Sequence, residues 1–238
     1  MNRTKKLIIA ILLVVLVGLV ASIFGALQSG PDLTQPNSDI LLLTSDKEEQ
    51  SNGAVDMAFM IHLENGSFKN YTPIYPGGMT HPSQASPIGS GNMRMHDCLY
   101  NGIDDGMQYA KEIVEANTNM TPDAVVLIYD EAVDNIIDCI RPLEINGEVV
   151  NLTATDIIRE NDAYNGYAGS HDMVTGTMSR SDAIMVLAKA LAKSAGDPDK
   201  KAKMVETALQ EYSKGNIVMQ PQGSFTKLLA TKGIESLS

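Results

Sequence analysis

Two aspartates, Asp46 and Asp56, stand where this chain's residue types and spacing can do chemistry. Asp46 follows a short apolar run, Ile40 to Leu43, long enough for a buried strand and too short for a helix. A polar loop with Asn52-Gly53 comes next. Val55, Met57, Phe59, Ile61 and Leu63 then alternate with Asp56, Ala58, Met60 and His62, which is the period of a strand. Asp46 is therefore expected where a buried strand ends, and Asp56 where the next begins. Ligands of open α/β sheets gather beyond strand ends. Two carboxylates brought together there can hold a hard cation such as Mg²⁺ through oxygen ligands. On spacing alone, ordinary loop and strand-edge roles account for both residues, because Asp serves turns well.

Other candidates carry less. Arg180 falls in the first turn of an expected helix, where a cation opposes the helix dipole at a cost of some tenths of a kcal/mol. That placement is tolerable if Arg180 points into an anionic site; taken by itself, an exposed Arg costing little is the simpler account. His81 lies in a loop, with no second His or Cys at a metal-site spacing. Cys98 follows His96 and Asp97, but residues one or two apart do not face each other on a helix, which argues against a Cys-His catalytic pair. The chain has no Gly-rich phosphate loop, GxSxG elbow or CxxC.

The elements that must position these residues are legible from periodicity. A third strand is expected over 67–74, hairpin-linked through Glu64-Asn65-Gly66. Residues 72–93, rich in Pro and Gly, read as a long loop. Helices are expected over 104–116 and 130–140, on either side of a buried strand over 124–129, with Pro142 stopping the second. A hairpin about Asn146-Gly147, a short helix over 153–162 carrying Arg159, and a second loop over 161–178 follow. A helix from Ser179 to about Ala195 comes next. Another starts at the N-cap pair Asp197-Pro198 and ends at Gly215. A last strand over 216–220 and a terminal helix over 225–234 complete the pattern. Strands alternating with helices in one body of about 200 residues give an α/β, sandwich-like pattern.

The N-terminus has a different composition. Residues 1–6 form a basic stub, and residues 7–27 carry no charge, which is long enough to span a hydrocarbon core of about 30 Å. The expectation is a single transmembrane signal anchor, with 28–38 as linker and 39–238 as a domain outside the cytoplasmic membrane. A cleaved signal peptide, with Val20-Ala21-Ser22 as its site, is the rival reading. Without Arg3, Lys5 and Lys6 the chain keeps 15 basic against 29 acidic residues, a net of −14. Such an acidic body argues against general nucleic-acid binding. The sequons at Asn65, Asn70, Asn119 and Asn151 fall in the exterior part, as a glycoprotein would have them. Cys98 and Cys139 form an even pair there, either as a disulfide or as two separate buried thiols.

The order of motifs resembles the LytR-CpsA-Psr family of membrane-anchored envelope phosphotransferases, and more closely an uncharacterised methanogen, hence archaeal, family related to it. The likeness runs through DILLLTSD, GAVDMAFMIHL, MTPDAVVLIYDEAVDNIIDCI, INGEVVNLTATDIIRE and GTMSRSDAIMVLAKAL, nearly the whole exterior domain. The resemblance implies an α-β-α fold, a mixed sheet flanked by helices, acting on a polyprenyl-diphosphate-linked cell-envelope polymer. It implies Asp46 and Asp56 as Mg²⁺-side residues, with Arg159 and Arg180 at the diphosphate. Arg suits that role because its planar fork matches phosphate oxygens. This chain departs from the family at Ala54 and Val55, where an Arg precedes the second Asp. It departs again at Ala183 and Ile184, where a second Arg and a Gln stand. The alternative is a non-catalytic, anchored binding or structural protein that kept the fold.

Overall fold

The computed structural model describes residues 31–47, 49, 51–75, 78–145, 148–151, 153, 186–187, 189–191, 193–194 and 196–224. The expected membrane segment 7–27, all of the helix expected over 153–162 except Thr153, the loop over 161–178 and the terminal helix over 225–234 lie outside these residues. Among the described residues no helix is long and apolar enough to cross a membrane.

A five-stranded mixed sheet forms the centre. Its strands are β1 (Ser38–Asp46), β2 (Ala54–Glu64), β3 (Ser67–Tyr75), β6 (Ala124–Tyr129) and β9 (Ile217–Gln220), in the order β3-β2-β1-β6-β9. β1 pairs antiparallel with β2 and parallel with β6, and β6 pairs antiparallel with β9. β1 is apolar on both sides because both sides are covered. Leu41 and Leu43 enter one core with Val125, Leu127 and Tyr129 of β6. Ile40 and the half-buried Leu42 enter the other with Ala124 and Val126.

Helix α1 (Ile103–Asn117) covers the first face, burying the stripe Met107, Ala110, Ile113 and Val114. Helices α2 (Asp130–Asp138) and α3 (Pro198–Lys214) serve the second, through Ala132 and Ala208. A third cluster holds Ile137, Ile140 and Leu143 against Leu187 and Ala190, which are helical residues within the helix expected to end near Ala195. The ends of α3 are those expected: the Asp197 carboxylate accepts from Asp199 N at 2.9 Å, and Gly215 takes the left-handed conformation at φ 81°. β7 (Leu143–Ile145) and β8 (Glu148–Val150) pair as the anticipated hairpin.

One correction concerns the loop expected over 72–93. It contains a hairpin, β4 (Thr80–Ala85) with β5 (Asn92–Arg94), followed by a 3₁₀ turn, Met95–Asp97. Pro82 sits in β4 without breaking it, because this two-stranded sheet leaves strand edges unpaired. Its anchor is His81, which is 4 % exposed. The ring Nδ1 accepts from the amides of Ser83 and Gln84 at 3.2 and 2.8 Å, so Nε2 carries the proton and donates to Glu112 at 2.6 Å. The Gln108 amide and this His81 bond hold the Glu112 carboxyl below its ordinary range. His81 is thus a structural residue, in keeping with its lack of metal-spaced partners.

The disulfide alternative fails as well. Cys98 and Cys139 are free thiols in separate clusters, Cys98 under α1 and Cys139 beside Ile137 and Ile140. Burial pushes the Cys98 thiol up to about 12.

Candidate functional site at the rim of the sheet

The parallel pair β1–β6 sets the site. Ser45 faces Tyr129, so Asp46 and Asp130 follow at neighbouring positions where both strands run out. The strand order turns here: β2 and β3 extend to one side of β1, β6 and β9 to the other. Such a turn is the usual ligand position in an open α/β sheet.

Asp46 is half-buried and faces Ala54 at the start of β2. Register then slips by one residue: Val55 pairs with Ser45 and Met57 with Thr44, leaving Asp56 as the extra residue of a β-bulge. Bulges re-aim side chains beside active sites. Sequence reasoning therefore placed both aspartates correctly along their strands, and the structure brings their strand ends together.

The loop between them is drawn tightly over the rim. The Tyr129 hydroxyl donates to Asn52 O at 3.1 Å, and the Asn52 amide donates to Tyr100 O at 3.2 Å. Gly53, at φ 89°, lies so close that a Cβ would come within 2.5 Å of Ser45 Oγ and 2.9 Å of Asp46 O. Only glycine meets both demands without strain. Burial raises the pKa of the Tyr129 phenol.

Asp130, the first residue of α2, was not singled out by sequence reasoning. Burial and the neighbouring charges of Asp46 and Asp134 raise its pKa, while the amides of Glu131 and Lys47 donate to the carboxylate and pull the other way. The available signal was its place after the buried run AVVLIY, which matches that of Asp46 after ILLLTS.

Lys47 and Asn216 were also missed. The Lys47 ammonium lies 5.2 Å from the centre of the Tyr129 ring and donates to Asn216 Oδ1 at 3.2 Å. Asn216 in turn accepts from Tyr129 N at 3.0 Å and donates through its amide to Glu211 Oε2 at 2.8 Å. Glu211 is buried. Its burial favours the neutral form, but bonds from Lys214, Asn216 and Asn135 outweigh that and hold the carboxyl below its ordinary range. This chain of contacts ties the start of β9 to the ends of β1 and β6.

Arg159 and Arg180 lie outside the described residues. Among the described residues, no three His, Cys, Asp or Glu side chains converge as a metal cluster.

The family model described as "Protein of unknown function (DUF4012)" matches residues 36–164, more than half of the chain. The chain belongs to the DUF4012 family. The matched DUF4012 segment includes Asp46, Asp56, Asp130 and Arg159 and stops short of Arg180. Solved structures share the fold of this DUF4012 chain. The Bacillus subtilis protein yvhJ, described as a transcriptional regulator, is 16 % identical with a TM-score of 0.52, over 85 % of this chain and 77 % of its own. B. subtilis TagV is 17 % identical with a TM-score of 0.51, over 85 % and 80 %. Protein gbs0355 of Streptococcus agalactiae is 12 % identical with a TM-score of 0.52, over 84 % and 72 %. At these identities the likeness is one of fold, and it agrees with the expected mixed sheet flanked by helices. No curated protein matches the sequence.

Proposed function

We propose that this chain is a membrane-anchored, archaeal cell-envelope protein that binds a polyprenyl-diphosphate-linked polymer at the rim formed by Asp46, Asp56 and Asp130. The observation that carries this reading is the joint exit of Asp46 and Asp130 from the parallel pair β1–β6, where the strand order turns. The apolar run over 7–27 supports a single-pass anchor with the C-terminal domain outside. The exposure of all four exterior sequon residues, Asn65, Asn70, Asn119 and Asn151, is consistent with an outward-facing glycoprotein.

The rim's donors suit Mg²⁺. That ion is commonly held by one or two carboxylates together with substrate phosphates and water. Burial first, and then the charges of Asp46 and Asp134, raise the Asp130 pKa, and a divalent cation between Asp46 and Asp130 would offset the carboxylate charge. Asp46 and Asp130, whose charges are coupled, would hold the ion, with phosphate oxygens and water completing its shell, and the bulge residue Asp56 is proposed at the edge of the same rim. Bound there, Mg²⁺ supplies neutralisation of charge on the diphosphate oxygens. Arg159 and Arg180 are assigned to the diphosphate itself. As a phosphotransferase, the site would join an acceptor hydroxyl to the polymer-side phosphorus. The bridging oxygen would leave with polyprenyl phosphate, and the hydroxyl proton would pass to solvent.

A second reading, anchored binding without transfer, is favoured by Ala54 and Val55. Both are 0 % exposed at positions where the resembling family has Arg, so they offer the rim no cation. Incubating the full chain with a polyprenyl-diphosphate-linked oligosaccharide and an acceptor glycan, with MgCl₂, separates the two. Release of polyprenyl phosphate that is lost in Arg159→Ala and Arg180→Ala establishes transfer. Binding without release leaves the binding reading. The absence of both removes the proposal.

A further inference from the structure

We propose that Lys47 is an anion-binding residue of this rim, its ammonium held over Tyr129 and against Asn216 so that its remaining N–H bonds are offered to phosphate oxygens. The inference rests on the phosphate-binding reading above and assigns it a cation that the motif comparison does not supply.

The position of Lys47 is unusual for a lysine next in sequence to Asp46 in a chain of net charge −11. A carboxylate would be its default partner. Instead, among the described residues, its ammonium meets neutral groups: Asn216 Oδ1 at 3.2 Å and the Tyr129 ring at 5.2 Å. An ammonium has three donors, and Asn216 takes one. The residue is otherwise exposed, so the others reach outward without a burial penalty.

Both ends of Lys47 are anchored. Its amide donates to the Asp130 carboxylate, and its ammonium is tied to the first turn of chain after α3. Holding a flexible four-carbon stem in one place removes much of the ordering cost that a ligand contact would otherwise carry. Asn216 is itself fixed by the buried Glu211 and by the Tyr129 amide, so the support is rigid. The arrangement places a cation over Tyr129 at the strand ends that carry Asp46 and Asp130, and charge-assisted bonds from it to phosphate are strong.

The test uses the full chain and inorganic pyrophosphate with excess MgCl₂, followed by calorimetry. Lys47→Met, which keeps the apolar stem, is expected to weaken pyrophosphate binding by about tenfold or more while the chain stays folded with a cooperative melt. Lys47→Arg is expected to restore most of it. In the wild-type protein the Lys47 side-chain ¹⁵N resonance should move on addition of pyrophosphate, a readout independent of any folding defect in the variant. Wild-type binding with an unchanged Lys47→Met affinity and a static resonance overturns the role of Lys47 and leaves the rim reading intact. No pyrophosphate binding by the wild-type protein overturns both.

Discussion

Ser45 faces Tyr129 across the parallel β1–β6 pair, which sets Asp46 and Asp130 at the same level on neighbouring strand ends. Their mutual repulsion, added to burial, favours the protonated form of Asp130.

That pairing has a sign in pH. The Asp130 pKa is raised above an unfolded value of about 3.9. Between the two values the folded state binds more protons than the unfolded one, so stability falls as pH rises through that window. The penalty persists at neutral pH. Asp130→Asn should therefore melt higher than wild type at neutral pH, with the gap closing under acid conditions. Asp46→Asn should move the Asp130 titration, followed by carboxyl ¹³C NMR, toward lower pH.

The opposite sign holds at Glu211. Its folded pKa is lowered, so the stability it contributes is present above the unfolded value of about 4.3 and is lost as pH falls through the folded value. Glu211→Gln should flatten that acid limb of a stability-against-pH curve. Glu211→Ala, which leaves the Asn135 and Asn216 amides without their acceptor, should cost about 2 kcal/mol or more in urea denaturation at neutral pH.

Gly53→Ala brings a methyl group against Ser45 Oγ and Asp46 O in a left-handed backbone. Strain of that kind costs about 1–3 kcal/mol. The shift falls on the backbone of Asp46, so Mg²⁺ affinity and stability should drop together. Calorimetry and denaturation of one sample would show both effects.

Packing predictions are simpler. Leu127 is 0 % exposed in β6, between α1 and the rim, and Leu127→Ala should cost about 2–5 kcal/mol. Phe68, 58 % exposed on the edge strand β3, should tolerate Ser within about 0.5 kcal/mol. Urea midpoints of the two variants test both.

Much of this architecture was legible in the chain. The run ILLLTSD gave β1 its bounds at the Asp46 end, because a strand buried on both sides must be continuously apolar and must end where polarity returns. Asp197-Pro198 and Gly215 marked the ends of α3 by local chemistry alone. The hairpin β4–β5 was hidden by its prolines and glycines, since its support is the distant Glu112 bond to His81 rather than any period in the sequence. The site was half legible. Asp46 and Asp56 could be placed because they sit beside apolar periods. Lys47 could not, because its meaning depends on Asn216, which only the pairing of β9 with β6 brings near. The bulge at Asp56 likewise needs both strands at once.

The most direct test of the rim is a calorimetric titration of the full chain with a polyprenyl diphosphate, in MgCl₂ and in EDTA, for wild type and Asp46→Ala. The expected result is Mg²⁺-dependent binding, weakened about tenfold or more in Asp46→Ala and untouched in the distant Phe68→Ser. Equal affinity in MgCl₂ and EDTA, or an Asp46→Ala variant that binds as tightly as wild type, would contradict a metal-assisted diphosphate site at the ends of β1 and β6.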